Sequence, residues 1–112
     1  MNTNFGQYTL GAQFCRQTYK QGGVCINVSN DIQFSTINLE QYNREKDLEI
    51  CALKIRIPLN NLIIICIYRS PTGNFNYFLN QLESILNKIY KVSMDWILCG
   101  DFNINHLDDT PR

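Results

Sequence analysis

The sequence lacks an excess of either charge. Ten lysine and arginine residues balance ten aspartate and glutamate residues in a chain of 112, so the formal net charge is zero. A protein that holds nucleic acid over a broad surface usually carries a basic patch or a basic overall charge. The composition therefore argues against a generally basic nucleic-acid binder. Any contact with DNA has to be local, or supplied by parts of a larger protein.

No segment has the length or hydropathy of a membrane anchor. The longest apolar run, residues 62–68, is far shorter than the ~20 apolar residues that span a bilayer. The first ten residues are polar, without the basic and apolar regions that make up a signal peptide. We therefore expect an intracellular protein, in the nucleus or the cytoplasm, that is neither secreted nor bound to a membrane.

The five cysteines form no recognisable metal or disulfide motif. There is no C-x-x-C pair, and the chain has a single histidine. Apolar neighbours, as in Ile65-Cys66-Ile67 and Leu98-Cys99, indicate small buried hydrophobic residues in a reducing compartment. A zinc site or a disulfide framework is the less favoured alternative. The cysteines are Cys15, Cys25, Cys51, Cys66 and Cys99.

The clearest pattern is a pair of strands around residues 58–61, which carry the turn signal Pro-Leu-Asn-Asn. Before this turn, side chains alternate between two faces over residues 51–57, as in a strand. After it, residues 62–68 are apolar on both faces, which is typical of a central strand covered on both sides. We predict a hairpin here and a shorter strand at residues 24–28. The first twenty residues show no clear periodicity.

A helix and a third strand are predicted after the hairpin. Asn74 is a plausible N-cap, and apolar residues then recur at helical spacing up to Ile89. A further apolar run, residues 96–99, reads as a strand. Strand, helix and strand in this order form a crossover connection if the two strands are parallel in one sheet. The fold class predicted is therefore α/β (α+β).

Polar side chains follow the two buried strands at the points where those strands end. Tyr68 ends the first strand, Asp101 and Asn103 follow the second, and Gly100 lets the backbone turn. Ligand crevices in open α/β sheets form at the carboxyl ends of strands, so these side chains are expected to meet at one edge. A carboxylate, an amide and a phenol would suit phosphodiester cleavage assisted by a divalent metal.

Each of these residues also has a simpler interpretation. An Asp-x-Asn segment after a strand is commonly an Asx-turn, and a strand tyrosine is more often a core residue with a satisfied hydroxyl. Arg69 is a candidate phosphate contact, although a solvated charge at the strand end is the commoner arrangement. From the residues alone, these alternatives stay open.

Four short segments, taken in order, resemble one protein family. Residues 97–104, Ile-Leu-Cys-Gly-Asp-Phe-Asn-Ile, resemble the Gly-Asp-Phe/Leu-Asn signature of the endonuclease/exonuclease/phosphatase family. Residues 67–71 resemble its upstream Tyr-x-x-Pro segment, at a separation that fits one helix. Phe-Cys-Arg at 14–16 and Gly-Gly-Val at 22–24 resemble one branch, the apurinic/apyrimidinic-endonuclease-like domain of insect non-LTR retrotransposon polyproteins.

The resemblance implies a fold, a reaction and a set of roles. The fold would be a partial four-layer α/β sandwich, with two sheets face to face and helices outside. Asp101 would orient and activate the attacking water, Asn103 would help to hold it and the phosphate, and Tyr68 would contact the scissile phosphate. Arg69 and Asn105 are the candidates for further phosphate or DNA contacts. The implied cofactor is Mg²⁺ or Mn²⁺, and the implied reaction is the nicking of target DNA before reverse transcription.

The family residues that would complete the site are not recognised in this chain. They are a metal-ligating Glu in the N-terminal half and an Asp-His pair near the C-terminal end, so we assign no metal ligand here. The acidic residues Glu40, Glu45, Asp47 and Glu49 are interpreted as solvated surface, and His106 as a loop residue. We therefore predict that residues 1–112 form a single partial domain, lacking its N-terminal and C-terminal parts and inactive in isolation.

Other functions stay open beside this one. The chain can be a non-enzymatic remnant or a binding module, or a phosphatase of the same superfamily, because the Asp-x-Asn motif is shared across it. DNA is expected as a partner only through the full-length parent. Part of a two-sheet sandwich would expose core faces, which predicts self-association.

Overall fold

The computed structural model describes residues 7–18, 23–58, 60–90 and 94–101. These residues form a mixed α+β fold with strands in two sheets and one α-helix. A short 3-10 helix, Glu40–Tyr42, lies between the third and fourth strands. The other elements are β1 (Tyr8–Phe14), β2 (Val24–Ser29), β3 (Phe34–Ile37), β4 (Glu49–Ile57), β5 (Asn60–Tyr68), α1 (Phe75–Ile89) and β6 (Met94–Asp101).

The predicted hairpin is confirmed in the larger sheet. β4 and β5 pair antiparallel, from Glu49 opposite Tyr68 to Ile57 opposite Asn60. The strand order is β3-β4-β5-β6, so β5 has a neighbour on each side. The strand whose residues are apolar on both faces is therefore a central strand, as its composition predicted.

The predicted crossover is confirmed as well. β5 and β6 are parallel neighbours, and α1 connects them. Asn74 caps the helix, since its side chain accepts a hydrogen bond of 2.9 Å from the backbone N–H of Tyr77. This bond satisfies one of the N–H groups that the first turn of a helix leaves unpaired.

The main core lies between α1 and one face of the larger sheet. β5 sends alternate side chains to this face, and α1 covers them with the apolar stripe predicted from its sequence. Burial of this apolar surface is the main source of stability for the layer. The fully enclosed core residues on these elements include Ile50, Ala52, Ile63, Ile65, Ile67, Phe78 and Ile85.

The opposite face of the larger sheet is covered by a small sheet, β1 paired antiparallel with β2. The two sheets approach closely at Gly11 of β1, where an added Cβ would lie 2.6 Å from the Leu53 side chain of β4. Thr36 links the sheets through a hydrogen bond of 2.5 Å from its hydroxyl to the carbonyl of Gly11. This cover is centred on β4 and leaves β6 open, since Ile97 stays 47% exposed.

β6 is longer than the sequence predicted. It continues through Gly100 to Asp101, which were expected to lie in a turn after the strand. Gly100 has a φ of +134°, and a Cβ there would collide with the backbone of Ile67 on β5. Glycine therefore allows the end of β6 to remain paired with β5 in a conformation that other residues rarely adopt.

The expectation of five buried cysteines is wrong in part. All five are free thiols, but only Cys51 is buried. Cys66 is half-buried, and Cys15, Cys25 and Cys99 are exposed. Cys99 is exposed because it lies on the edge strand, beyond the cover that the small sheet provides. Apolar sequence neighbours therefore did not indicate burial there.

The described residues contain one α-helix, and it is too short and too polar to cross a lipid bilayer.

Candidate functional site

Tyr68 and Asp101 lie next to each other at the ends of two parallel strands. They are direct partners in the register of β5 and β6, and each is the last residue of its strand. Partners on neighbouring strands project to the same face of a sheet. Next to this pair, the backbone N–H of Arg69 donates a hydrogen bond of 2.9 Å to the carbonyl of Asp101. The sheet thus brings a phenol and a carboxylate together at one edge. This is where they were expected, because both residues were predicted to lie at strand ends.

The two side chains differ in their access to solvent. Tyr68 is half-buried, and Asp101 is exposed on the edge strand. A half-buried tyrosine keeps its ring packed while its hydroxyl can donate a hydrogen bond at the surface. An exposed carboxylate can accept hydrogen bonds from water. Among the described residues, the edge therefore places a phenol hydroxyl and a carboxylate on neighbouring strands.

A third residue, Glu49, extends this row across the sheet. It is the first residue of β4 and the direct partner of Tyr68, and its side chain is fully buried. Its carboxylate accepts hydrogen bonds from Arg16 Nε at 2.6 Å, from the backbone N–H of Gly23 at 2.6 Å and from that of Lys46 at 2.8 Å. The interpretation of Glu49 as solvated surface is therefore wrong.

Arg16 is a residue of this region that the sequence analysis did not single out as functional. Its side chain is 8% exposed, and its Nη2 atom lies 2.6 Å from the Glu49 carboxylate without the geometry of a hydrogen bond. Its guanidinium carbon lies 5.5 Å from the centre of the Tyr68 ring, within the range of a cation–π contact. Arg16 therefore joins the end of β1 to the row formed by Glu49, Tyr68 and Asp101.

The remaining acidic residues of the polar segment have different surroundings. Glu40 is exposed, as expected, whereas Glu45 and Asp47 are half-buried. Glu45 accepts hydrogen bonds from the backbone of residues 17 and 18. Asp47 accepts one of 2.6 Å from the backbone N–H of Asn74 and pairs with Arg44. These two carboxylates hold loops in place, which their polar sequence context did not reveal.

Arg69 is not a solvated charge. It is 7% exposed, its Nη1 donates to the carbonyl of Gly73 at 3.0 Å, and its guanidinium lies over the rings of Phe75 at 5.0 Å and Phe78 at 5.8 Å. Both rings belong to α1, so the guanidinium lies on the helix side of the sheet. Its contact with phosphate stays a prediction.

The other predicted site residues cannot be placed. Asn103 and Asn105 lie outside the described residues, as does His106. Their predicted roles stay predictions.

No group of three or more histidine, cysteine, aspartate or glutamate residues in the described ranges is arranged to hold a metal ion. Mg²⁺ is usually held by one or two carboxylates, with water and substrate oxygens filling its octahedral shell. At this edge Asp101 is one carboxylate, while the Glu49 oxygens are enclosed by Arg16 and by two backbone N–H groups.

Comparisons with known proteins do not assign a family. No family model matches the sequence, and no curated protein shows significant similarity to it.

Proposed function

We propose that the chain is part of a divalent-metal-dependent DNA endonuclease, and that Tyr68 and Asp101 lie in its phosphodiester-cleaving site. The observation that carries the proposal is their direct pairing at the carboxyl ends of β5 and β6. Ligand crevices of α/β sheets form at such strand ends. The resemblance of residues 67–71 and 97–104 to the endonuclease/exonuclease/phosphatase family supplies the reaction class.

The two paired residues would have complementary roles. Asp101 would accept a proton from the attacking water or orient it toward phosphorus. The hydroxyl of Tyr68 would donate a hydrogen bond to a phosphate oxygen as negative charge develops there. Asn103, two residues after Asp101, would hold the water and the phosphate. Arg16 would position the Tyr68 ring rather than touch the substrate, because its guanidinium is engaged with Glu49.

The divalent metal would neutralise charge on the phosphate, and we expect that the described residues of this chain do not hold it alone. Asp101 contributes an exposed carboxylate at this edge, whereas the Glu49 carboxylate is buried and accepts a hydrogen bond from Arg16. Groups of a catalytic site that act together lose nearly all activity when several are missing. We therefore expect the chain by itself to cleave DNA poorly, with further ligands supplied by a longer parent protein.

We also propose that the observed layers are part of a four-layer sandwich. α1, the larger sheet and the small sheet form three successive layers among the described residues. A second helical layer on the outer face of the small sheet would complete the arrangement. In support, β1 leaves Tyr8 52% exposed and Leu10 48% exposed.

A plasmid-nicking assay tests the proposed function. The chain alone, with Mg²⁺ and supercoiled DNA, is expected to nick no faster than buffer. A longer protein, which includes the segments encoded on either side of this chain, is expected to nick the DNA in the presence of Mg²⁺. Asp101→Asn in this longer protein should slow nicking by about 10²–10⁴-fold, which is the range for loss of a general base.

Asp95 provides a matched control for this assay. It lies at the other end of β6 and is exposed. It belongs to the same face of the sheet as Asp101, because the two positions differ by an even number along the strand. Asp95→Asn should leave nicking unchanged. A longer protein that nicks DNA equally well with and without Asp101→Asn would disprove the assignment of Asp101.

A binding module is the second candidate, because β6 presents apolar side chains to solvent. Ile97 and Leu98 project to opposite faces of β6 and are 47% and 42% exposed. β6 is also the last strand of its sheet, so its outer backbone groups are unpaired within that sheet. Such an edge favours association with another chain, whether or not the chain is part of an enzyme.

A further inference from the structure

Three cysteines form a row across the larger sheet. Cys51 of β4 is the direct partner of Cys66 of β5, and Cys66 is the direct partner of Cys99 of β6. All three project to the face that the small sheet covers at β4. Cys25, on β2, is close enough to contribute to raising the pKa values of the Cys51 and Cys66 thiols. Cys66 precedes Tyr68 by two residues on β5, and Cys99 precedes Asp101 by two residues on β6.

Cys66 and Cys99 are the pair best placed to react with each other. Burial, as the largest cause, and interaction with the neighbouring Cys99 side chain raise the pKa of the Cys66 thiol to about 11. Cys99 also lies 3.5 Å from the carbonyl of Ile65, close to the β5 backbone. Cys99 is exposed and Cys66 is half-buried, so an oxidant reaches one sulfur from solvent and the second lies beside it.

The strand geometry permits a bond between the two sulfurs. Neighbouring strands lie about 4.7–4.9 Å apart, and a disulfide requires a Cα–Cα distance of about 4.4–6.8 Å. A disulfide between adjacent strands is constrained by the sheet, and constrained disulfides are more easily reduced than relaxed ones.

We propose that Cys66 and Cys99 are a reversible oxidation site, closed by a peroxide to a disulfide between β5 and β6. This inference is independent of the proposed nuclease function, because it rests on the thiols and their register alone.

The reaction is balanced with hydrogen peroxide as the oxidant. The Cys99 thiol loses its proton and its sulfur attacks one peroxide oxygen. The O–O bond breaks, a sulfenic acid forms, and the departing hydroxide takes up that proton to become water. The Cys66 thiol then loses its proton as its sulfur attacks the sulfenic sulfur. A sulfur–sulfur bond forms, the sulfur–oxygen bond breaks, and the departing hydroxide takes up the Cys66 proton to become a second water. Two thiols are oxidised by two electrons, and the peroxide is reduced to two waters. Cys66 is placed for the second step because it is the direct register partner of Cys99.

Peptide mapping of the oxidised full chain tests the proposal. The chain is treated with dilute hydrogen peroxide at low protein concentration, blocked with N-ethylmaleimide and digested with trypsin. Each of the five cysteines falls on a different tryptic peptide, with Cys66 on residues 57–69 and Cys99 on residues 92–112. We expect these two peptides to be joined, to separate on reduction, and to account for the loss of two of the five free thiols.

Two variants make the result specific. Cys99→Ser removes the attacked sulfur and should abolish the linked peptide, while Cys15→Ser, an exposed cysteine outside the row, should leave it unchanged. Circular dichroism of both variants would check that the fold is retained. Linkage of Cys66 to Cys51, linkage of Cys99 to Cys25, disulfide-linked dimers as the main product, or an unchanged count of five thiols would each overturn the proposal.

Discussion

Glu49 is the residue at which sequence reasoning and structure differ most. Its side chain is 0% exposed and that of its partner Arg16 is 8% exposed. A charge in this environment is tolerated only when it is paired and hydrogen-bonded, and Glu49 satisfies both conditions. Nothing in the local sequence distinguishes it from Glu45 or Glu40, because its partner lies 33 residues away. Burial of a carboxylate by a distant arginine is a tertiary property.

Replacing Glu49 is therefore expected to destabilise the fold. Glu49→Ala removes the carboxylate and leaves the Arg16 guanidinium and two backbone N–H groups without their acceptor. Breaking one side of a buried ion pair typically costs about 3–5 kcal/mol of unfolding free energy. Equilibrium unfolding in urea, followed by circular dichroism, measures the loss.

Glu40→Ala serves as the comparison, because Glu40 is exposed and lies in the same acidic segment. A surface substitution of this kind should change the unfolding free energy by less than about 0.5 kcal/mol. If both alanine variants unfold at the same urea concentration, Glu49 does not have the structural role described here.

At the scale of elements, the sequence predicted those parts of the fold whose patterns are local. β4, β5 and α1 have clear periodicity, a turn signal between the strands and a capping residue before the helix. β1 and β3 had no comparable signal. β1 exposes most of its residues and β3 has only four, so their pairing depends on partners elsewhere in the chain. β6 is longer than predicted because Gly100 keeps the strand paired with β5, whereas the sequence predicted that this glycine would lie in a turn.

The predicted cap of α1 can be tested directly. Asn74→Ala removes the side-chain acceptor for the backbone N–H of Tyr77, a bond of 2.9 Å. Loss of an N-cap side chain typically lowers the unfolding free energy by about 1 kcal/mol. Thermal or urea unfolding of the variant measures the change.

Asn76 provides the control, because it is an exposed asparagine on α1 just after the cap. Alanine has a higher helix propensity than asparagine, so Asn76→Ala should leave stability unchanged or raise it slightly. A larger loss at position 76 than at position 74 would be incompatible with the capping role.

At the scale of the whole molecule, the site lies where the cover of the larger sheet ends. The Tyr68–Asp101 pair was predictable because both residues end apolar strands joined by one helix. The contact of Tyr68 with Arg16 was not, because it depends on how the small sheet lies over β4. The same arrangement leaves one apolar edge strand beside the site, at Ile97 and Leu98.

This edge is expected to make the chain self-associate. The average mass in sedimentation or light-scattering measurements should rise with protein concentration, because exposed apolar edge strands pair readily. Leu98→Lys should suppress the rise by placing a charge on β6.

Leu79→Lys is the matched control, since Leu79 is 44% exposed on α1 and Leu98 is 42% exposed on β6. The control should associate as the unmodified chain does. An unmodified chain that stays monomeric over the whole concentration range would show that this edge needs no partner.

The separation of Arg16 from Glu49 along the chain has a consequence for the order of folding. β4 and β5 meet across a short turn, and closing a short loop restricts the chain less than closing a long one. The β4–β5 hairpin can thus form before β1 and β2 pack against the larger sheet. Until they dock, Leu53 and Cys51 face water. The salt bridge between Arg16 and Glu49 then forms last, once the small sheet has packed on the larger sheet.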